Sequence, residues 1–108
     1  MDWNNVLKKW QGRLKLEDWD IKFEEIPKGA VEYPDDIGEH GYWYGIDKEP
    51  INIRTKKTVF TYDSPLNEEA IIHELLHLKF PEWSEDNVNK VQNKLMKTFN
   101  IKRSLPKV

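Results

Sequence analysis

His73-Glu74-Leu75-Leu76-His77 is the stretch of this chain whose residue types and spacing could carry out a reaction. On a helix, residues i and i+4 stand one above the other on one face. Two imidazoles placed so can reach a single ion at Zn–N distances of roughly 2.0–2.1 Å. Glu74 follows His73 at about 100° around the helix. It is poorly placed to bind the same ion, but it can hydrogen-bond a water on the ion and accept its proton. Zinc brings the pKa of such a water to about 7, so a carboxylate can complete the deprotonation. The H-E-x-x-H pattern thus points to a hydrolytic zinc site, with His73 and His77 as ligands and Glu74 as general base. The competing explanation is structural: two histidines satisfied on a core helix, with Glu74 as a solvated charge.

A catalytic zinc ordinarily takes three protein ligands and a water. His40 is the only other histidine, and Glu82, Glu85 and Asp86 follow His77 closely. Glu85 is the first candidate. It opens the predicted last helix three residues before Val88, so it leans towards the face that packs on the core. Glu82 is the alternative third ligand, in the connection between helices, and it reaches the ion if the chain turns sharply. Asp86 should point away. Each of these carboxylates also suits the ordinary role of a negative charge at a helix start.

The elements that must position these groups are readable from periodicity. Trp3, Val6, Leu7, Trp10 and Leu14 form a helical stripe in the segment Asp2 to Leu16, with Asp2 as cap. Trp19 to Ile26 alternates apolar and polar residues, as a half-buried strand does. Residues 28 to 41 read as a loop. Tyr42 to Ile46 is aromatic and β-prone, and Ile51 to Thr55 alternates as a strand. Lys56-Lys57 reads as a turn. Val59 to Tyr62 reads as a short strand or as the approach to the next helix. Ser64-Pro65 predicts a helix start, because serine caps well and proline suits the first helical position. That helix runs through the motif to about Lys79, and Pro81 marks its end. Ile71, Leu75 and Leu78 lie opposite the histidines, with Ile72 and Leu76 on a flank, so most of its circumference should be buried. A last helix starts near Ser84, with Val88, Val91, Leu95 and Phe99 as its stripe.

The 108 residues fit one domain, residues 1–108. A domain of this size buries roughly 65% of the surface of its unfolded chain, enough to fold without staples. Five tryptophans add packing area to a small core. With no cysteine, disulfides, thiolate-bound zinc and thiol catalysis are excluded. That absence fits a reducing compartment, and a cytoplasmic location is expected. The first residues lack the basic start and apolar run of a signal peptide, and no apolar stretch approaches the roughly 20 residues needed to span a bilayer. A soluble monomer is expected, without a membrane partner. The net charge of −2, from 17 basic and 19 acidic residues, gives no footprint for nucleic acid.

With the motif, its helix and a following glutamate in place, the chain resembles a zincin-class zinc metallopeptidase. More narrowly it resembles the minimal soluble gluzincins, or minigluzincins. The resemblance spans nearly the whole chain, but only the five-residue motif is specific. HELLHLKFPEWSE also resembles SprT-like metallopeptidases. Those carry a third histidine downstream, where this chain has Trp83, and that difference favours a glutamate ligand. The resemblance implies an α+β zincin-like domain, a short twisted β-sheet with three helices, and the motif on the central helix. It implies one Zn2+ per chain and hydrolysis of a peptide or protein substrate. It further implies an edge strand that binds extended peptide through its backbone, for which Ile51 to Thr55 is the candidate, with Asn52 and Ile53 at the substrate. An oxyanion-stabilising group is implied too; Tyr42, Tyr44, His40 and Arg54 are available. Residues 102–108 could form a latency tail over the cleft, as in a zymogen, or an ordinary frayed end. Two other classes stand beside the enzyme: a metal-binding module without turnover, and an interaction domain without metal.

Overall fold

The computed structural model describes residues 2–27, 44–46 and 55–101. Asp2 starts the first helix as expected. Its Oδ1 accepts from the backbone N–H of Asn4 at 3.0 Å and of Asn5 at 3.4 Å, satisfying donors that the helix leaves free. Helix α1 runs Trp3–Arg13 and buries Leu7 and Trp10. Strand β1 (Asp20–Glu25) follows, then β2 (Tyr44–Ile46) and β3 (Lys57–Tyr62). Helix α2 (Glu68–Lys79) carries the motif, and α3 (Glu85–Thr98) closes the described chain.

The sheet order is β1-β3-β2. β1 pairs with β3 in parallel, and β2 pairs with β3 antiparallel. The molecule is thus a small α+β fold with three helices and a mixed three-stranded sheet among the described residues. Of the two readings open for Val59 to Tyr62, the strand is the one found, and it is the centre of the sheet. Phe60, fully buried there, meets Phe23 of β1 edge to face at 5.3 Å. Lys56 sits at φ 57° just before β3, so the expected turn falls on Lys56, while Lys57 already belongs to the strand. Thr55, the last residue of the expected strand Ile51 to Thr55, has helical backbone. The rest of that segment lies outside the described residues. So do Asn52 and Ile53, the candidates His40, Tyr42 and Arg54, and the tail 102–108.

One start signal is displaced. Ser64-Pro65 does not cap α2; Asn67 does, accepting from the Ala70 N–H at 2.8 Å. The reason is local. The Pro65 carbonyl is held at 2.6 Å by the Tyr44 hydroxyl, and the Ser64 hydroxyl donates to Asp63 at 3.0 Å. Asparagine is as good a cap as serine, so the helix begins three residues later.

Ala70, Ile71, Ile72, Leu75 and Leu76 of α2 are all buried, against α1, the sheet and α3. α3 covers the remaining side of the helix, so that of the histidine face only His73 is more than marginally exposed. No helix among the described residues is long and apolar enough to cross a membrane.

Candidate metal centre

Two helices build the site, and the turn between them sets its geometry. Pro81 has no N–H to continue α2, and the helix closes at Phe80, whose N–H bonds to the Leu76 carbonyl at 2.9 Å. The chain reverses there. Phe80 and Trp83 stack face to face with ring centroids 3.8 Å apart, and the Trp83 N–H donates to the Phe80 carbonyl at 3.0 Å. Ser84 caps α3 by accepting from the Asn87 N–H at 3.2 Å. Glu85 is therefore the first residue of a helix folded back onto α2.

Its carboxylate meets the histidines. Glu85 Oε1 lies 3.3 Å from His73 Nε2 and in short contact with His77 Nε2. The two imidazole Nε2 atoms are 3.1 Å apart, with the rings inclined at 71°. Around a tetrahedral ion with bonds of roughly 2.0–2.1 Å, ligand atoms lie about 3.3–3.4 Å from one another. Two edges of the His73, His77 and Glu85 triangle, 3.1 and 3.3 Å, are near that size, and the His77–Glu85 edge is shorter. Two nitrogens and a carboxylate oxygen form a donor set that suits zinc.

Glu74 belongs to the same cluster. His73, Glu74 and His77 offer ligand atoms that all lie within 4.8 Å of one another. Glu74 is the looser member, with Oε2 4.0 Å from His73 Nε2. Of the two carboxylates, Glu85 closes on both imidazoles, while Glu74 stands off by more than a ligand–ligand edge. Glu74 is buried, whereas the Glu85 side chain is 64% exposed. Glu82 is exposed in the turn and makes neither of the histidine contacts that Glu85 makes. Asp86 is exposed as well. Tyr44, one of the oxyanion candidates, is engaged elsewhere: its hydroxyl donates to the Pro65 carbonyl and accepts from Asn67 Nδ2 at 3.2 Å. That puts it at the start of α2, about 9 Å along the axis from His73.

Comparison with family models, with curated proteins and with solved structures returned no match to this chain.

Partial burial pushes the Glu85 carboxyl up, but the charges and hydrogen bonds of His73 and His77 outweigh it and hold the group below the ordinary glutamate range.

A further layer was not anticipated from the sequence. His73 Nδ1 is 2.5 Å from Gln92 Oε1, and Gln92 Nε2 donates to Glu69 Oε2 at 2.9 Å. Gln92 and Glu69 are 3% and 1% exposed, so this polar chain crosses the core between α2 and α3. Two signals were available. Glu69 precedes His73 by four residues, on the same helix face. Gln92 lies four residues from Val88 and from Met96, both buried, and so interrupts the apolar stripe with an amide.

Proposed function

We propose that this chain is a zincin-like zinc metallopeptidase of the minimal gluzincin kind, hydrolysing peptide bonds. The observation that carries the reading is the convergence of His73 Nε2, His77 Nε2 and Glu85 Oε1, with Glu74 standing 4.0 Å from the nearer imidazole. His73, His77 and Glu85 would hold one zinc ion. When bound, the ion supplies Lewis acidity for a peptide carbonyl and lowers the pKa of a water to about 7.

The remaining work falls to the chain. Glu74 receives the proton of the attacking water and later delivers it to the departing amine. Its burial keeps the carboxylate largely away from bulk solvent. Glu85 would bring a carboxylate charge against the positive charge of the ion.

The test is Glu74→Gln, assayed with zinc bound against a mixed peptide library. General acid–base groups contribute typically 10²–10⁴-fold, so hydrolysis should fall by about that factor while zinc is retained. Unchanged hydrolysis in zinc-loaded Glu74→Gln would overturn the mechanism. Zinc binding with no peptide cleaved by the wild type would reduce the centre to a binding module.

A further inference from the structure

We infer that Gln92, anchored by Glu69, is a positioning residue that locks His73 in one tautomer, with the proton on Nδ1 and the lone pair on Nε2. The inference deepens the metal-centre reading and rests on it for its effect on metal affinity, though not for the tautomer itself.

The argument runs outward from the buried carboxylate. Glu69 Oε2 faces the Gln92 amide at 2.9 Å. A carboxylate oxygen accepts, so the NH2 end of the amide must point at it. The flipped amide would set a carbonyl oxygen against a carboxylate oxygen in a site from which water is excluded, and that is costly. With the amide fixed, Gln92 Oε1 must face His73, and its 2.5 Å contact with Nδ1 needs a donor. A carbonyl oxygen cannot donate, so Nδ1 carries the proton. In a neutral imidazole the other nitrogen then has the lone pair. That nitrogen, Nε2, faces His77 and Glu85.

The relay has a directional consequence. Glu69 acts on Gln92, Gln92 acts on His73, and His73 presents a ligand atom. His73 thus needs no tautomeric shift on binding, and its ring is held in plane by a buried partner from the other helix. Outer partners of this kind are worth about 10–100-fold in metal affinity. Neither Glu69 nor Gln92 is among the residues that would hold the ion.

The experiment is long-range 1H–15N correlation NMR of the metal-free protein, at a pH where its imidazoles are neutral, alongside zinc affinity by chelator competition. In the wild type, His73 should show a protonated Nδ1 and a bare Nε2. In Gln92→Leu it should move towards the Nε2–H form, and zinc should bind about 10–100-fold more weakly. The paired exchange Glu69→Gln with Gln92→Glu reverses the relay's polarity but keeps an acceptor at His73 Nδ1, so both readouts should return towards wild type. Should Gln92→Leu fail to fold, Gln92→Asn withdraws the carbonyl by one methylene and is read in the same way.

A wild-type His73 protonated on Nε2 would overturn the inference. So would a tautomer unchanged in folded Gln92→Leu or Gln92→Asn. The expected tautomer pattern without any zinc binding would leave the relay standing and remove the metal-centre reading, so the two failures are told apart.

Discussion

Glu68 and Glu69 are neighbours on α2, yet they serve opposite kinds of polar cluster. Glu68 faces α1. Its Oε2 accepts from Trp10 Nε1 at 2.6 Å and pairs with Lys9 Nζ at 2.8 Å. Arg13 lies over the Trp10 and Phe99 rings, which meet edge to face at 5.3 Å. In that cluster the anion has both a neutral donor and a cation. Glu69 faces α3 and leads through Gln92 to His73, where Nε2 converges with His77 Nε2 and Glu85 Oε1. There, two imidazole nitrogens and a carboxylate oxygen face one another. The first arrangement is complete and ties two helices together. The second gathers potential ligand atoms around one point, where a cation could sit.

The contrast predicts that the two clusters separate stability from metal binding. The largest effect on stability should come from the α1 side. Trp10→Ala removes a fully buried ring and its bond to Glu68, and should cost about 3–5 kcal/mol by urea unfolding. A loss under about 1 kcal/mol would mean that the α1–α2 contact is not structural. Next comes the metal side. Zinc at about 100 times its Kd should stabilise the wild type by about 2.7 kcal/mol, raising Tm by roughly 10 °C. Glu85→Ala truncates an exposed side chain, so metal-free stability should stay within about 0.5 kcal/mol of wild type, while the zinc-dependent rise in Tm disappears. An equal rise in both proteins would move the ion away from Glu85.

A smaller effect sharpens the comparison by pH. Burial pushes the Glu68 carboxyl up, but the hydrogen bonds from Lys9 and Trp10 outweigh it and hold the group below its ordinary value. A carboxyl depressed in the folded state contributes stability that is present above the ordinary value of 4.5 and lost as pH falls through the folded value. Glu68→Gln should therefore cost about 1 kcal/mol near neutral pH and progressively less below about pH 4.5. A cost independent of pH would assign the loss to packing. The smallest effect expected is that of Glu82→Ala, which should change neither stability nor zinc binding by more than about 0.5 kcal/mol.

What could be read in advance depended on whether a feature is local. The cap at Asp2, the period of α1, the arrest of α2 near Pro81 and the start of α3 near Ser84 are short-range chemistry, and they appear where the residues predict them. The contact of Glu85 with the histidines was within reach because one tight turn separates α2 from α3, so helical geometry limits which carboxylate can return. The start of α2 was misplaced because Ser64-Pro65 and Asn67 are both good local signals. A contact from a distant strand, Tyr44 to the Pro65 carbonyl, accompanies the choice of the second. Val59 to Tyr62 was ambiguous for a similar reason. Four residues are too few to show a clear period, and the parallel pairing with β1 comes from tertiary structure. Gln92 and Glu69 escaped notice because each suits an ordinary role, a surface amide and a first-turn acid. Only the packing of α2 on α3 brings them together.

The most direct measurement is zinc per chain by elemental mass spectrometry on the wild type, His77→Ala, Glu85→Ala and Glu82→Ala, after zinc is added and the excess removed. The account predicts about one zinc per chain in the wild type and in Glu82→Ala, and loss of it in His77→Ala and Glu85→Ala. A wild type that holds no zinc would contradict it, and His73 and His77 would then be two histidines one turn apart on a core helix.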